Sequence, residues 1–282
     1  MKLWDKLRKS KIVLLINNTI ASFSEDNGSL LAAGVAYNLL FSIFPFALTM
    51  ISIAGFFMES TNFESHVINA IANLIPVARG MLEKNLHEVV GARAETGTVA
   101  VLVLIWSASS FFNALRNSLN KAWGIKADVS FFKGRAKDIA MLMGSFVLLL
   151  VYMWLSTGIR IIHAAHYHSE DFQFLNSTTI SSTIFTISNC LLAFLVILLL
   201  YRFIPSHNPR WKDIWPGALL AAASVEIIRF GFIWYIGDFS QYNLVYGSIG
   251  AVIALLAFIY LSAWALLFFA ELSASSLRLK SR

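Results

Sequence analysis

The sequence predicts an all-α polytopic membrane protein: a bundle of six transmembrane helices with an amphipathic helical cap on its outer side. Three observations carry that prediction. Of the 282 residues, 57% are apolar and only 13% charged, against about half and about a quarter in ordinary soluble domains. The apolar residues come in long charge-free blocks, 27–58, 96–115, 139–159, 172–201 and 239–270, and a sixth block, 214–237, is interrupted only by Glu226 and Arg229. Each block reaches the roughly 20 residues a helix needs to cross about 30 Å of hydrocarbon. Strands do not fit: barrel strands alternate apolar and polar, whereas AMLMGSFVLLLVYMWLSTG and LLAFLVILLLY are apolar on every side.

Read in order, residues 1–29 form a basic N-terminal segment. Leu3, Trp4, Leu7 and Leu14 stand among Lys2, Lys6, Arg8, Lys9 and Lys11, the pattern of an interfacial helix on an anionic leaflet. The transmembrane domain is expected over 30–270, with spans at about 30–57, 96–115, 139–160, 180–203, 214–236 and 247–269. A tail follows over 271–282. In the first span Gly34, Asn38, Ser42, Pro45, Thr49 and Ser52 recur at steps of 3 and 4, which places them on one helical stripe. Small and polar stripes in lipid turn toward other helices, and Pro45 predicts a kink. Residues 58–95 read as two short amphipathic helices broken at Pro76, the external cap. Ser110, Asn113 and Asn117 make a stripe at the end of the second span, which runs into a basic loop with Trp123, Phe131 and Phe132. Aromatics among cations mark a headgroup region. Spans three and four are nearly featureless. Pro216 is expected in the first turn of span five, where proline is tolerated, and Gly247, Gly250, Ala254 and Ala257 give span six a small-residue packing face.

The net charge of +6 is a topology signal. Seventeen Lys and Arg fall in 1–26, 116–137, 201–213 and beyond Glu271, against three in the alternating segments. The positive-inside rule then puts both termini in the cytoplasm. The one cysteine, Cys190, lies within a span, so no disulfide framework or thiolate metal site is expected.

Glu226 and Arg229 are the anomaly. Ala218, Ala222 and Glu226 stand at i, i+4 and i+8 with Arg229 three further on, so the charges extend a small-residue stripe and can touch each other. A charge at a helix centre costs about 2.5–3.5 kcal/mol on insertion scales, and pairing recovers only part of it. Three readings stay open: a substrate or ion path, a structural role in which the pair fixes helix register or Arg229 snorkels to the outer interface, or a span boundary that leaves the pair near the interface.

No enzyme constellation accompanies the pair. His163, His166 and His168 in HAAHYH precede Glu170 and Asp171, but a third ligand at i+5 leaves the helical face needed for a metal. No phosphate loop or nucleophile elbow is present. No metal or cofactor is expected.

The stretches LAAGVAYNLLFSIFPF, NALRNSLNKAWGI, WKDIWPGALLAAASVEIIRFGFIWYI and YNLVYGSIGAVIALLAFIYLSAWALLFFAEL resemble the YihY/BrkB family of bacterial inner-membrane proteins over nearly the whole chain. The resemblance implies six transmembrane helices in a bacterial cytoplasmic membrane and says little about activity. The family's older label, ribonuclease BN, a tRNA-processing nuclease, finds no support in these residues. His207 is the only histidine in the expected cytoplasmic loops, no metallohydrolase motif is present, and a metal-dependent nuclease needs convergent ligands. Matching the family stretches singles out Tyr37, Ser42, Pro45, Trp123, Pro216, Gly217, Glu226, Tyr242, Tyr246, Gly247 and Glu271. The expected function is a carrier, channel or lipid-handling protein of the bacterial envelope. Glu226, Arg229, Tyr37, Asn38, Ser42 and Pro45 would line its path between spans one, five and six. The alternative is a non-transporting scaffold that maintains envelope integrity. Membrane lipids are the expected partners, with a small-molecule or lipid substrate and no nucleic acid.

Overall fold

A computed structural model of the chain describes residues 11–57, 93–125, 136–144, 178–207, 209–238 and 243–280, with single positions at 69, 79, 134 and 147. Six helices are resolved along it: α1 Lys11–Glu25, α2 Gly28–Phe57, α3 Arg93–Ala122, α4 Thr178–Phe203, α5 Trp211–Asp238 and α6 Asn243–Lys280. A further helical piece spans 136–144. No strand occurs among the described residues. Among the described residues two helices are long and apolar enough to cross a membrane, Trp211–Tyr235 and Val252–Leu279, and Gly28–Ile43 and Cys190–Phe203 are shorter apolar stretches.

Local chemistry sets the helix ends. Asn27 adopts φ 55°, a left-handed conformation that asparagine tolerates. Its carbonyl accepts hydrogen bonds from the amides of Leu30 and Leu31, so one residue ends α1 and starts α2. Gly124, at φ 66°, ends α3 in a Schellman arrangement: its amide donates to Lys121 O and that of Ile125 to Asn120 O, satisfying carbonyls the helix leaves open. Asp213 lies in the first turn of α5, where a carboxylate suits the helix dipole.

The hub is α6. It packs against α5, α2, α1 and α3, while α2 packs on α3 and α5 on α4. With 3.6 residues per turn, Phe258, Phe269 and Ser273 share the face of α6 that meets α5. Trp264, Phe268, Glu271 and Arg278 lie on the roughly opposite face, toward α1 and α2. On the first face Phe258 meets Phe232 edge-on, centroids 5.4 Å apart. On the second, the Phe23 ring of α1 packs edge-on against Trp264 and Phe268, at 5.2 and 5.5 Å. Gly28 makes room for that cluster, because a Cβ there would run into the Phe23 ring. Tyr201 of α4 is fully buried and donates to Leu266 O.

Several boundaries differ from the sequence reading, with identifiable causes. The second span was expected to stop at 115, but α3 continues to Ala122 because Leu115, Leu119 and Ala122 keep its apolar face going and are buried. Asn113 and Asn117 of the expected polar stripe are exposed, and Asn113 Oδ1 accepts from Arg116. Pro216 is the sixth residue of α5, not part of its first turn, since the helix already starts at Trp211; the Lys212 carbonyl loses the donor that a non-proline residue would supply. Residues 271–280, expected as a tail, are the final turns of α6. The external cap lies outside the described residues apart from Asn69, Arg79 and the start of α3; there the Arg79 guanidinium donates to Asn69 Oδ1 at 3.2 Å. Residues 1–10, most of 139–160, Phe131, Phe132 and the histidines of HAAHYH lie outside the described residues.

Candidate functional site

α5 carries the pair. Ala218, Ala221 and Ala222 are buried on the same face as Glu226 and Arg229, which are 8% and 9% exposed. Leu219, Ile227, Phe230 and Trp234 cover the outward face. The Arg229 Nε donates to Glu226 Oε2 at 2.7 Å, and Nη2 approaches the same oxygen at 2.5 Å. The guanidinium carbon lies 5.2 Å from the Phe230 ring centre. Cys190 on α4 lies within electrostatic reach of both charges. The result is a compact dipole between two turns of one helix, shielded from the outward face by large apolar side chains.

The first-span residues do not join it. Tyr37 is 58% exposed and stacks at a tilt on Phe41, centroids 4.8 Å apart. Gly34 is also exposed. The Asn38 Nδ2 donates to Gly34 O at 2.8 Å and the buried Ser42 Oγ to Leu39 O at 2.9 Å, both within their own helix. Pro45 is half-buried in a helix that runs on to Phe57. The expected stripe therefore straddles the edge of the buried face, with Ser42 and Thr49 inside and Gly34 outside. α2 and α5 each pack on α6, and the hydrogen bonds of Asn38 and Ser42 stay within α2.

Motif positions further along divide by role. Gly217 marks a close approach of α5 to α6, where a Cβ would collide with Ser273 Oγ and the Phe269 carbonyl. Small residues allow backbones in lipid to approach this closely. The Trp123 indole N–H is buried with no hydrogen-bond partner among the described residues. Glu271 is 1% exposed and accepts from Arg278 Nη1 at 3.1 Å. Tyr242 lies outside the described residues, and for Tyr246 and Gly247 the description stops at the α6 backbone.

A second cluster, at one end of the bundle, was missed. Arg116 of α3 is buried and donates to Asp138 Oδ1 at 2.5 Å, Gly134 O at 3.2 Å and Asn113 Oδ1 at 3.0 Å. Lys137 donates to the carbonyls of Ile204 and Pro205 at 3.1 and 2.9 Å, closing the end of α4. Burial pushes its pKa down, the Arg116 charge adds to that, and Asp138 opposes it. Asn120 exchanges two hydrogen bonds with Ser206. Arg278 reaches Ala122 O at 3.1 Å, and Lys121 donates to Asp26 O at 2.8 Å. These bonds gather the α1–α2 turn, the ends of α3, α4 and α6, and the start of the 136–144 helix. In the sequence Arg116 looks like one of many loop cations. The signal that could have placed it is the continuing Leu115–Leu119–Ala122 spacing, which leaves Arg116 on or beside a buried face. Among the described residues no group of three or more His, Cys, Asp or Glu could hold a metal ion.

Helices of this length and apolarity, with an ion pair shielded inside one and cations gathered at one end, define a helical membrane protein. The chain belongs to the BrkB family: the family model described as virulence factor BrkB matches residues 19–281. It is 25% identical over 254 residues to a UPF0761 membrane protein of Stenotrophomonas maltophilia, which covers 90% of this chain and 58% of that relative. UPF0761 membrane proteins of Xanthomonas campestris and Xanthomonas axonopodis are 26% identical with the same coverage. The chain thus spans 58% of the length of these curated relatives. No solved structure matches it.

Proposed function

We propose that the chain is a six-span, non-enzymatic carrier, channel or lipid-handling protein of the bacterial cytoplasmic membrane, with both termini in the cytoplasm. The Glu226–Arg229 pair is its polar element. The observation that carries this reading is the depth of the pair. Exposed Trp215 and Trp234 stand at two levels of α5 about 28 Å apart at 1.5 Å per residue, close to the hydrocarbon thickness of roughly 30 Å. Tryptophan at both levels is the usual interfacial anchor. On that scale Glu226 lies about 16 Å from the Trp215 level, near the midplane, where an ionisable residue is by default functional. Orientation is supported by Lys121, Lys137, Arg202, Arg210, Lys212 and Arg278, all at the end that holds the Trp211–Trp215 level.

The test is native mass spectrometry of protein released from lipid nanodiscs, for wild type, Glu226→Gln and Arg229→Ala. A discrete lipid or metabolite retained by wild type and lost from folded variants is the expected result. Retention by both variants would sink the path reading.

A second reading, a non-transporting scaffold of the envelope, has its own support. Arg229 donates to Glu226 within one helix, and Asn38 and Ser42 bond within their own helix. Thiol labelling separates the two readings. In a Cys190→Ala background, Asn38→Cys, Ser42→Cys and Glu226→Cys are exposed to a small aqueous thiol reagent. Reaction at position 226 means a watered cavity; protection at all three favours the scaffold.

A further inference from the structure

The elbow joining α4 to α5 lies between Phe203 and Trp211. Its side chains combine exposed aromatics with cations that the polar cluster nearby does not consume. Trp211 and Trp215 are 45% and 51% exposed, and Leu219 continues the same stripe at i+8. The Trp211 ring is held in place from two sides: Phe203 meets it edge-on at 6.3 Å, and the Arg202 guanidinium carbon lies 5.5 Å from its centre. Arg202 Nη1 donates to Pro209 O at 2.5 Å, which fixes the guanidinium where the chain turns. Arg210 and Lys212 are exposed beside it. Asp213 is the one carboxylate between residues 202 and 213, so the elbow holds three cations against one acid.

We propose that this elbow is a headgroup site for an anionic phospholipid, its phosphate held by Arg202, Arg210 and Lys212 and its acyl chain lying along Trp215 and Leu219. Charge complementarity selects an anion, since cations close to a bilayer surface attract acidic lipid. The apolar stripe selects a lipid over a free phosphate, because it descends from the cations in the direction an acyl chain takes. Trp211 is pre-positioned, so little side-chain freedom is lost when the headgroup arrives. The site is separate from the midplane pair and does not depend on that pair lining a path.

The experiment uses the full chain in phosphatidylcholine nanodiscs that carry a minor share of phosphatidylglycerol, with native mass spectrometry counting retained lipids. Wild type is expected to keep phosphatidylglycerol in preference to phosphatidylcholine. The Arg210→Gln/Lys212→Gln variant leaves Arg202 and its turn contact intact, and should lose that preference roughly tenfold or more without a change in melting temperature. A Lys84→Gln/Arg93→Gln control removes the same charge from the 58–95 segment and should keep the preference. Equal losses in the two variants, or no preference in wild type, overturn the site. Displacement of the bound phosphatidylglycerol by soluble glycerol phosphate overturns the lipid assignment in favour of a small-anion site.

Discussion

At Gly217 the backbones of α5 and α6 come closer than any side chain permits. A methyl group there meets Ser273 Oγ, which can rotate away, and the Phe269 carbonyl, which cannot. Gly217→Ala is expected to destabilise the bundle by about 1–3 kcal/mol, the usual cost of overpacking, read as a lower melting temperature in detergent. Adding Ser273→Gly should return only part of that loss, because the backbone contact persists. Arg229 presents the converse case, where removal is the problem. Arg229→Ala strands a buried Glu226 carboxylate and is expected to cost about 3–5 kcal/mol, while exchanging both charges for neutral residues of similar volume costs far less. A single variant that melts like wild type would mean that the carboxylate has access to water.

Between elements, stability concentrates at the charged end. Asp138 ties the 136–144 helix to α3 through Arg116, so Asp138→Ala leaves a buried guanidinium without its carboxylate. A loss of about 3–5 kcal/mol is expected, with partial recovery in Arg116→Met/Asp138→Leu, both measured by thermal melting. The α1 helix depends on a different chemistry. Phe23 is its main anchor, set edge-on to Trp264 and Phe268. Phe23→Ala is expected to cost about 3–5 kcal/mol where it can be measured. The readout is local: faster proteolysis in the Asp26–Asn27 turn with the remaining helices still protected. Uniform cleavage throughout would mean that α1 is integral to the whole bundle.

For the molecule as a whole, the sequence was most legible where one periodicity governed. The buried face of α5, from Ala218 through Ala222 to Glu226 and Arg229, follows directly from helical spacing, whereas on α6 the expected Ala254 and Ala257 are half-buried beside the buried Leu255, Phe258 and Ile259. The first-span stripe was read only in part because small and polar residues mark an interface approximately: Ser42 is inside and Gly34 outside, on one stripe. The Arg116–Asp138 pair was hidden for a different reason. Its members stand 22 residues apart, and no periodicity links a helix end to the start of another helix. Orientation remains open to a direct test. Cysteines introduced at Lys11 and Lys280, in a Cys190→Ala chain, are expected to resist an impermeant thiol reagent in intact spheroplasts and to react after lysis. The seat of α1 also carries a consequence in time. Ser22 and the Arg278 that reaches it are separated by 256 residues, and chains are made at roughly 5–20 residues per second. α1 therefore waits on the order of ten seconds or more for the end of α6, and through that interval Phe23 lacks the rings of Trp264 and Phe268 that it packs against.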